Sequence, residues 1–514
     1  MKRILLVASF VAALASALAF SAGSAHADLV AAAKATATPS PTPAPLPTAS
    51  PEPPQIAIPR LEGLLKTNPN DRDAMTQLAA QFLALGSPQA AQAALQLTQR
   101  VIQLGTKTAQ IYFLDGSAQQ TLGNYPAAIA DLESASNLEP TNLTILSQLA
   151  QLYLKTQPPR FADAERIANR AVTFNKTEPS AYVVLGIVLA AEQKWDDARK
   201  QFDQAYLLDP KDVTPLIQEA QTWVAQNTLP NALTSIERAI AADPKNVRAL
   251  VFRASIYAKQ NNTSAAAQAF DDAIAAGSND YEKAAIIVQK ALMYATAKQP
   301  AQAQAVFEGA FRQYPNVSAL HTAYGEYWMA NRQTARAEAQ FIQAVRIDKN
   351  DTSALIDLAQ LKIGEKKPAD AAGYLKQLAA VAPSGQTYAL LGQVYVSSHQ
   401  YALARAACMQ SFQMARNPDT LACIAGSDYS VKNFKEAATL FTILDTQVKG
   451  YMQQHPEYLY MEAYSFGQTK QPAKAVSTFK RLLAMMKPGT KEYKQIQAQV
   501  AALQKAAPPA KKKP

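Results

Sequence analysis

A period of about 34 residues runs through most of this chain and constrains its fold more than any other feature. In the alignment of the copies, the eighth position is always small: Ala79, Gly116, Ala150, Gly186, Ala220, Ala254, Ala291, Gly325, Ala359, Gly392, Ala425 and Ala463. The twentieth position is alanine in every copy, from Ala91 to Ala475, and only the third copy carries an insertion between the two positions. Twelve copies of this kind can bury their apolar residues by stacking on one another, so 514 residues do not need one compact core.

The pattern is cleanest from Gly186 to Pro210, a stretch that ends with Leu-Leu-Asp-Pro. Bulky residues recur at the twenty-fourth position, as in Phe202, Phe307 and Phe341, and proline recurs at the end of a copy, as in Pro244. This pattern resembles the tetratricopeptide repeat, in which each copy is a hairpin of helices A and B. The resemblance implies an all-α fold, a right-handed superhelical solenoid of helical hairpins with a C-terminal capping helix.

Small residues are needed where helices A and B cross, because only they let the two backbones approach closely. A larger side chain at such a crossing would overpack it. The alignment assigns this structural role to Gly116, Ala128, Gly186, Ala198, Ala232, Ala266, Gly325, Ala337 and Ala371. Proline after helix B, as at Pro210, Pro244, Pro315 and Pro383, is expected to close each copy because it cannot continue a helix.

The two ends of the chain differ from the repeats. Residues 1–27 join Lys2-Arg3 to an apolar run and an Ala-His-Ala site, which is typical of a cleaved secretory signal peptide; an uncleaved anchor is the alternative. Residues 28–59 are rich in proline and are expected to form an extended linker, with docking in polyproline conformation as the alternative. The predicted boundaries are then 60–486 for the repeats, 487–507 for a capping helix and 508–514 for a basic disordered tail.

Charge does not point to nucleic acid. The formal net charge of +10 falls to about +4 when the basic residues of the leader and of the C-terminal tail are set aside. Binding of RNA by helical repeats would also need basic residues on the binding face and residence in the cytoplasm. The leader argues against residence in the cytoplasm, and the helix A positions that would form a binding face, named below, are mainly aliphatic and not basic.

No motif in the sequence carries enzyme chemistry. His321, His399 and His455 fall on a core-facing helix A position, a turn between helices and a linker, where structural roles are favoured over metal binding or catalysis. Cys408 and Cys423 fall on neighbouring antiparallel helices, and they are either a disulfide or two small buried residues. We therefore expect no enzyme activity, no metal and no cofactor.

Proteins of the tetratricopeptide repeat family generally bind their partners on the concave face formed by helix A positions 2, 5, 9, 12 and 13. Carried over to this chain, these positions give aliphatic side chains interspersed with glutamines, a pattern that suits an extended peptide or an apolar helix face. The alternative is that a tightly wound superhelix buries part of this stripe. The predicted peptide-binding groove consists of Phe113, Gln151, Val183, Ile217, Gln221, Val224, Val251, Ile356, Gln360, Ile363, Gln393 and Val396.

These observations favour a non-catalytic scaffold for protein–protein interaction, exported to the periplasm or the extracellular space. The expected partners are other envelope or secreted proteins, with membrane contact at most peripheral or through an uncleaved leader. The alternative is an accessory subunit of a polysaccharide-export, pilus or outer-membrane assembly machine.

Overall fold

The structure is a computed structural model in which residues 52–506 are described. The described residues form 27 α-helices and no β-strand. The predicted signal peptide, most of the predicted linker and the basic tail lie outside them. The described residues form two compact units, an N-terminal unit of 52–286 with 293–300 and a C-terminal unit of 287–292 with 301–506.

The N-terminal unit contains thirteen complete helices among its described residues. They are α1 (Pro54–Thr67), α2 (Arg72–Ala84), α3 (Pro88–Gln103), α4 (Ala109–Thr121), α5 (Tyr125–Leu138), α6 (Leu143–Leu154), α7 (Phe161–Phe174), α8 (Pro179–Ala191), α9 (Trp195–Leu208), α10 (Thr214–Ala225), α11 (Leu229–Ala242), α12 (Val247–Lys259) and α13 (Thr263–Ala276). Helix α14 (Asp280–Thr296) follows and contributes residues to both units.

The remaining thirteen helices follow helix α14. They are α15 (Pro300–Gln313), α16 (Ser318–Ala330), α17 (Thr334–Ile347), α18 (Thr352–Gly364), α19 (Pro368–Val381), α20 (Gly385–Ser397), α21 (Tyr401–Met414), α22 (Pro418–Ser430), α23 (Phe434–Gln447), α24 (Tyr451–Gln454), α25 (Pro456–Gln468), α26 (Pro472–Met485) and α27 (Lys491–Ala506). All of them lie in the C-terminal unit, apart from Pro300 at the start of α15.

Within each unit most helices pack as consecutive A and B pairs, and most B helices also pack against the A helix of the next pair. The pairs correspond to the predicted copies, beginning with α2 and α3 and ending with α25 and α26. A hairpin of two helices is too thin to bury an apolar stripe by itself, so neighbouring hairpins share one interior. The prediction of an all-α fold built from helical hairpins is confirmed.

The helix crossings have the predicted small residues. Gly116, Ala128, Gly186, Ala198, Ala232, Ala266, Gly325, Ala337 and Ala371 are all buried. A Cβ atom added to Gly186 would lie 2.5 Å from Cε1 of Phe202, and one added to Gly325 would overlap the ring of Phe341. The bulky residue at the twenty-fourth position therefore occupies the space that glycine leaves free.

A residue with positive φ connects helix A to helix B in most copies. It lies seven residues after the small residue at the crossing, and Gly86, Gly123, Gln193, Asn227 and His399 are examples, with φ between 58° and 78°. After α8, for instance, Lys194 N–H donates to the Leu189 carbonyl, a bond that satisfies one of the free carbonyls at the helix end. The third copy is the exception, because two additional residues lengthen its loop at 155–160.

The first helix begins earlier than the sequence predicts. Helix α1 starts at Pro54, inside the segment expected to be an extended linker up to residue 59, and it contains Pro59. Proline is tolerated at the first helical position, as at Pro54, where the N–H has no partner. Pro59 lies in the second turn and removes a helical hydrogen bond. Ala57 and Leu61 are fully buried against the first hairpin, so tertiary packing stabilises a helix that composition alone disfavours.

The predicted capping helix corresponds to α27. Its Ile496 and Val500 are buried in the apolar cluster of the last repeats, while most of its other side chains are exposed. One apolar face and one polar face are what a terminal helix of a stacked array needs. Helix α27 begins at Lys491, four residues after the predicted boundary.

Candidate protein-binding face

The predicted glutamines occupy the ninth position of their A helices. Gln151 on α6, Gln221 on α10 and Gln360 on α18 are exposed, and Gln393 on α20 is half-buried. Within residues 52–506, no hydrogen bond engages the side chains of these four glutamines. Their amides can therefore donate to and accept from another chain.

Half-buried apolar side chains accompany the glutamines on the A helices. These are Phe113, Val224, Val251, Ile356, Ile363 and Val396. Each packs against the interior of its own unit and keeps part of its surface exposed. On α18, for example, Ile356 and Ile363 flank Gln360 at helical spacings of four and three residues, which places the three side chains on one side of the helix.

Two of the predicted groove residues are not surface residues. Val183 on α8 is 8% exposed and Ile217 on α10 is 2% exposed. Consecutive A helices pack against each other in this part of the N-terminal unit, and the two side chains fill the interior between hairpins. The prediction that Val183 and Ile217 line an open groove is therefore wrong.

The C-terminal unit half-buries two acidic side chains that the sequence pattern did not single out, Glu326 and Asp357. Burial raises the pKa of Glu326 on α16 to about 8, and the nearby Asp357 and Asp351 add to this shift. Burial, together with Asp351, raises the pKa of Asp357 to about 7. Asp351 itself holds the start of α18, since one of its oxygens accepts from Ala354 N–H at 3.0 Å.

A second carboxyl pair lies in the N-terminal unit. Asp115 on α4 is 4% exposed and accepts a hydrogen bond from the hydroxyl of Thr98. Burial raises the pKa of Asp131 on α5 to about 7, with the adjacent Asp115 as the second cause. In the described part of the chain, no group of three or more His, Cys, Asp or Glu side chains is arranged to hold a metal ion.

The histidines lie where the sequence predicts. His321 is on α16, where its ring stacks on Phe311 at 4.2 Å and its Nδ1 lies 2.8 Å from Oε1 of Gln340. His399 is the positive-φ residue of the turn after α20, and His455 precedes α25. All three have local packing or hydrogen-bonding roles.

A disulfide joins Cys408 on α21 to Cys423 on α22, with their Cα atoms 6.2 Å apart. The bridge lies beside the crossing of the tenth copy, where a Cβ added to Gly392 would overlap Sγ of Cys408. The structure thus selects the bridged alternative of the two that the sequence left open.

An aromatic cluster on the last A helices was missed by the sequence analysis. Tyr429 on α22, Phe434 at the start of α23, and Tyr460 and Tyr464 on α25 contact one another and are half-buried. The three tyrosines occupy the twelfth, fifth and ninth positions of their copies, which are positions of the predicted binding face. The signal in the sequence is the replacement of aliphatic residues and glutamine by tyrosine at these positions.

No helix in the described part of the chain combines the length and the apolar character needed to cross a membrane. No curated protein matches the sequence significantly. The sequence model of the family described as Tetratricopeptide repeat matches residues 217–281 and 288–352.

Several solved structures are similar to parts of the chain. YrrB, titled a TPR protein with an unusual peptide-binding site, is 21% identical over 37% of this chain and 95% of its own, with a TM-score of 0.29. MamA from Desulfovibrio magneticus RS-1 is 13% identical over 38% of this chain and 97% of its own, with a TM-score of 0.28. Naa15/Naa10 bound to HypK is 14% identical over 87% of this chain and 74% of its own, with a TM-score of 0.31.

The matched segments cover parts of both units, and the crossings outside them repeat the same pairing of a small residue with a bulky one, as in Gly186 and Phe202. The helical hairpins of residues 217–281 and 288–352 are tetratricopeptide repeats.

Proposed function

We propose that this protein is a non-catalytic scaffold that binds segments of other proteins along the exposed sides of its A helices. The observation that carries the proposal is the set of exposed glutamine amides without hydrogen bonds, at Gln151, Gln221 and Gln360, beside half-buried aliphatic side chains. An exposed amide is hydrogen-bonded to water, and it can exchange that water for a peptide group of a bound segment.

The same arrangement favours an uncharged segment. Ile356 and Ile363 offer apolar contact area on either side of Gln360, and a bound side chain of similar character would remove that area from water. The glutamine would meanwhile pair with the backbone of the segment, whose polar groups lose water on binding. The aliphatic contacts would supply most of the binding free energy. The hydrogen bond from the amide would fix the position of the segment along the helix.

The proposed location is outside the cytoplasmic membrane. Residues 1–27 support it through their basic start, apolar run and Ala-His-Ala site. The disulfide between Cys408 and Cys423 is consistent with an oxidising compartment. The proposed partners are therefore envelope or secreted proteins.

Site-specific photo-crosslinking in cells tests the proposal. A benzophenone amino acid replaces Gln360 in one variant and Gln410, an exposed glutamine on helix B of the tenth copy, in a matched control. Position 360 should yield discrete crosslinked proteins that position 410 does not. Equal products at the two positions, or none at position 360, would refute a binding role for the A helices.

A second pair of variants measures the energetic importance of the face. Ile356→Glu combined with Gln360→Ala should reduce recovery of the crosslinked partner at least tenfold, because a carboxylate would be placed in an apolar contact. Leu403→Glu combined with Gln410→Ala makes the same changes at exposed positions of helix α21 and should leave recovery unchanged. The identity of the partner then separates a general scaffold from an accessory subunit of an export or assembly machine.

A further inference from the structure

Positive charge is concentrated at the C-terminal end of the described chain. Residues 52–468 contain 36 basic and 38 acidic side chains, a formal net charge of −2, whereas residues 469–506 contain eight basic and one acidic, a formal net charge of +7. The eight basic residues are Lys470, Lys474, Lys480, Arg481, Lys487, Lys491, Lys494 and Lys505. They lie on helices α26 and α27 and in the turns that precede them, so the last hairpin and the capping helix carry a local positive potential.

The fold does not use the charges of the seven lysines in this stretch. Arg481 forms two hydrogen bonds with the carboxylate of Asp445, both at 2.6 Å. All seven lysines are exposed, and none of them forms an ion pair with another residue of 52–506. Helix α27 is instead held on the last repeat by the buried side chains of Ile496 and Val500. The protein therefore does not relieve the mutual repulsion of the ammonium groups.

Three of these lysines share one side of helix α27. Successive residues of an α-helix are rotated by about 100°, so Lys491, Lys494 and Lys505 fall within a sector of about 60°. Ile496 and Val500 lie on the opposite side, where they are buried. The rise of about 1.5 Å per residue spreads the three lysines over about 21 Å. Helix α27 thus has an apolar side that packs on the repeat and a basic side that faces solvent.

The side chains between the lysines are short. Gln495, Ala498 and Ala502 lie on the same side of α27 and are exposed. An open depression at the start of the helix is lined by Gly489, Lys491, Lys494, Gln495 and Ala498. No bulky side chain of α27 on this side keeps a flat object away, so the ammonium groups on their long stems can reach one plane together.

An extended anionic surface fits this arrangement better than a single anionic group. The lysines are spread along the helix, so one carboxylate or phosphate could contact only one or two of them. The basic side of α27 also has no arginine and no aromatic ring, the side chains that nucleic-acid-binding proteins use for paired phosphate contacts and base stacking. The phosphate groups of a bilayer, in contrast, present many negative charges in one plane, and each lysine that reaches them raises the affinity about fivefold.

We propose that the basic side of helix α27, together with Lys487 in the preceding turn, docks the C-terminal unit on membranes that contain anionic phospholipids. The contact is peripheral, since the apolar side of the helix is already occupied by the last repeat. This inference goes beyond the proposed function, because it concerns a different surface from the A helices and a lipid in place of a protein partner.

Cosedimentation with vesicles tests the inference. The protein isolated from cells is mixed with vesicles of phosphatidylcholine alone, or of phosphatidylcholine and phosphatidylglycerol in equal amounts. The measured quantity is the difference in binding between the two, which removes any attachment that does not depend on charge. Binding should require phosphatidylglycerol and should weaken at least tenfold between low and physiological salt, because salt screens exposed charges. Equal binding to both kinds of vesicle, or binding to neither, would overturn the inference.

A triple variant identifies the surface. Lys491→Gln, Lys494→Gln and Lys505→Gln together should lower the affinity for phosphatidylglycerol vesicles at least tenfold, because three charges are removed from one side of α27. The melting temperature should stay that of the wild type, since none of the three side chains is buried. An unchanged affinity would refute the assignment to α27.

The matched control removes the same net charge elsewhere in the C-terminal unit. Lys349→Gln, Lys366→Gln and Lys432→Gln replace exposed lysines that precede the last hairpin, and together they should leave vesicle binding unchanged. Equal losses in the two triple variants would show that only net charge matters, and the proposed surface would then be wrong.

Further measurements separate lipid from other anions and this inference from the proposed function. Replacing Lys491, Lys494 and Lys505 by arginine keeps the charges and should keep vesicle binding. Binding to polyglutamate or transfer RNA without binding to vesicles would contradict a lipid surface. The variant Ile356→Glu with Gln360→Ala should bind vesicles as the wild type does. Absent crosslinks at position 360 with normal vesicle binding would therefore refute the proposed function alone, and normal crosslinks without vesicle binding would refute this inference alone.

Discussion

The fourth and the tenth copies stabilise the same glycine crossing in two different ways. In the fourth copy, the ring of Phe202 lies on Gly186 and is fully buried within its hairpin. In the tenth copy, the space beside Gly392 is occupied by Cys408, which is bonded to Cys423 of the next hairpin. A large apolar ring is thus replaced by a small side chain and a covalent link.

The difference shows which part of the repeat pattern is indispensable. The close approach of the two helices requires a small residue at the eighth position in both copies, whereas the volume beside it can be filled from one hairpin or shared between two. Packing by Phe202 depends on the hydrophobic effect alone. The crossing of the tenth copy also depends on the oxidation state of its cysteines.

The largest expected effect is the loss of the ring. Phe202→Ala should lower the free energy of unfolding by about 3–5 kcal/mol, because it leaves a cavity beside Gly186 that rigid helices cannot close. Denaturation in urea and hydrogen exchange of the α8 and α9 amides would measure it. Phe174→Ala, at a residue that is 55% exposed, is the control and should change stability by less than about 0.5 kcal/mol. Equal losses in the two variants would show that Phe202 does not support the crossing.

Loss of the disulfide should be the next largest effect. Cys408→Ser combined with Cys423→Ser removes a bridge between residues separated by 15 in the sequence. Closing a loop of this length raises the free energy of unfolding by about 3 kcal/mol, so the double variant should lose about that amount. Reductant should lower the melting temperature of the wild-type protein and leave that of the double variant unchanged. If thiol titration shows that the bridge has been reduced and the melting temperature of the wild type is still unchanged, the bridge does not stabilise the tenth copy.

The helical hairpins and their crossings could be predicted from the sequence because their cause is local and is repeated. Only a small residue fits opposite Phe202 or Phe341, so Gly186 and Gly325 mark the crossings without any knowledge of the overall arrangement. The start of α1 could not be predicted in the same way. Burial of Ala57 and Leu61 against the first hairpin extends that helix to Pro54, and sequence composition does not reveal this contact.

The binding face was predicted less completely because the exposure of an A helix depends on how closely its neighbours pack. Ile217 and Ile356 hold the same position in their copies, yet Ile217 is buried and Ile356 is half-buried. The raised pKa of Glu326 was also missed. Asp357 follows it by about one copy in the sequence, and only stacking of the hairpins brings the two carboxyl groups together.

A smaller effect on stability is expected from the half-buried carboxyl group of Glu326, which titrates whereas the two crossings do not. Because the folded state raises the pKa of Glu326 to about 8, the native protein binds a proton that the unfolded chain releases above about pH 4.5. Stability should therefore fall as the pH rises from about 5 to 8. Glu326→Gln should raise stability at pH 8 by about 1 kcal/mol and should flatten this dependence.

Thermal unfolding at several pH values would check this result, with Glu237→Gln at an exposed position as the control. The Phe202→Ala and the double cysteine variants should lose the same stability at pH 5 and pH 8, because neither crossing titrates in this range. If stability still depends on pH in Glu326→Gln, other titrating groups cause that dependence.

The smallest effect concerns the turns that follow the two crossings. Gln193 in the fourth copy and His399 in the tenth have φ of 62° and 60°, a conformation that costs a residue with Cβ about 1–2 kcal/mol. Glycine avoids this cost but increases the entropy of the unfolded chain, so Gln193→Gly should stabilise the protein by about 0.5 kcal/mol. His399→Gly should gain less, because it also removes the hydrogen bond between Nδ1 of His399 and the hydroxyl of Tyr401 at 2.8 Å. Calorimetry of both variants would measure the difference, and a larger gain at position 399 would mean that this hydrogen bond contributes nothing.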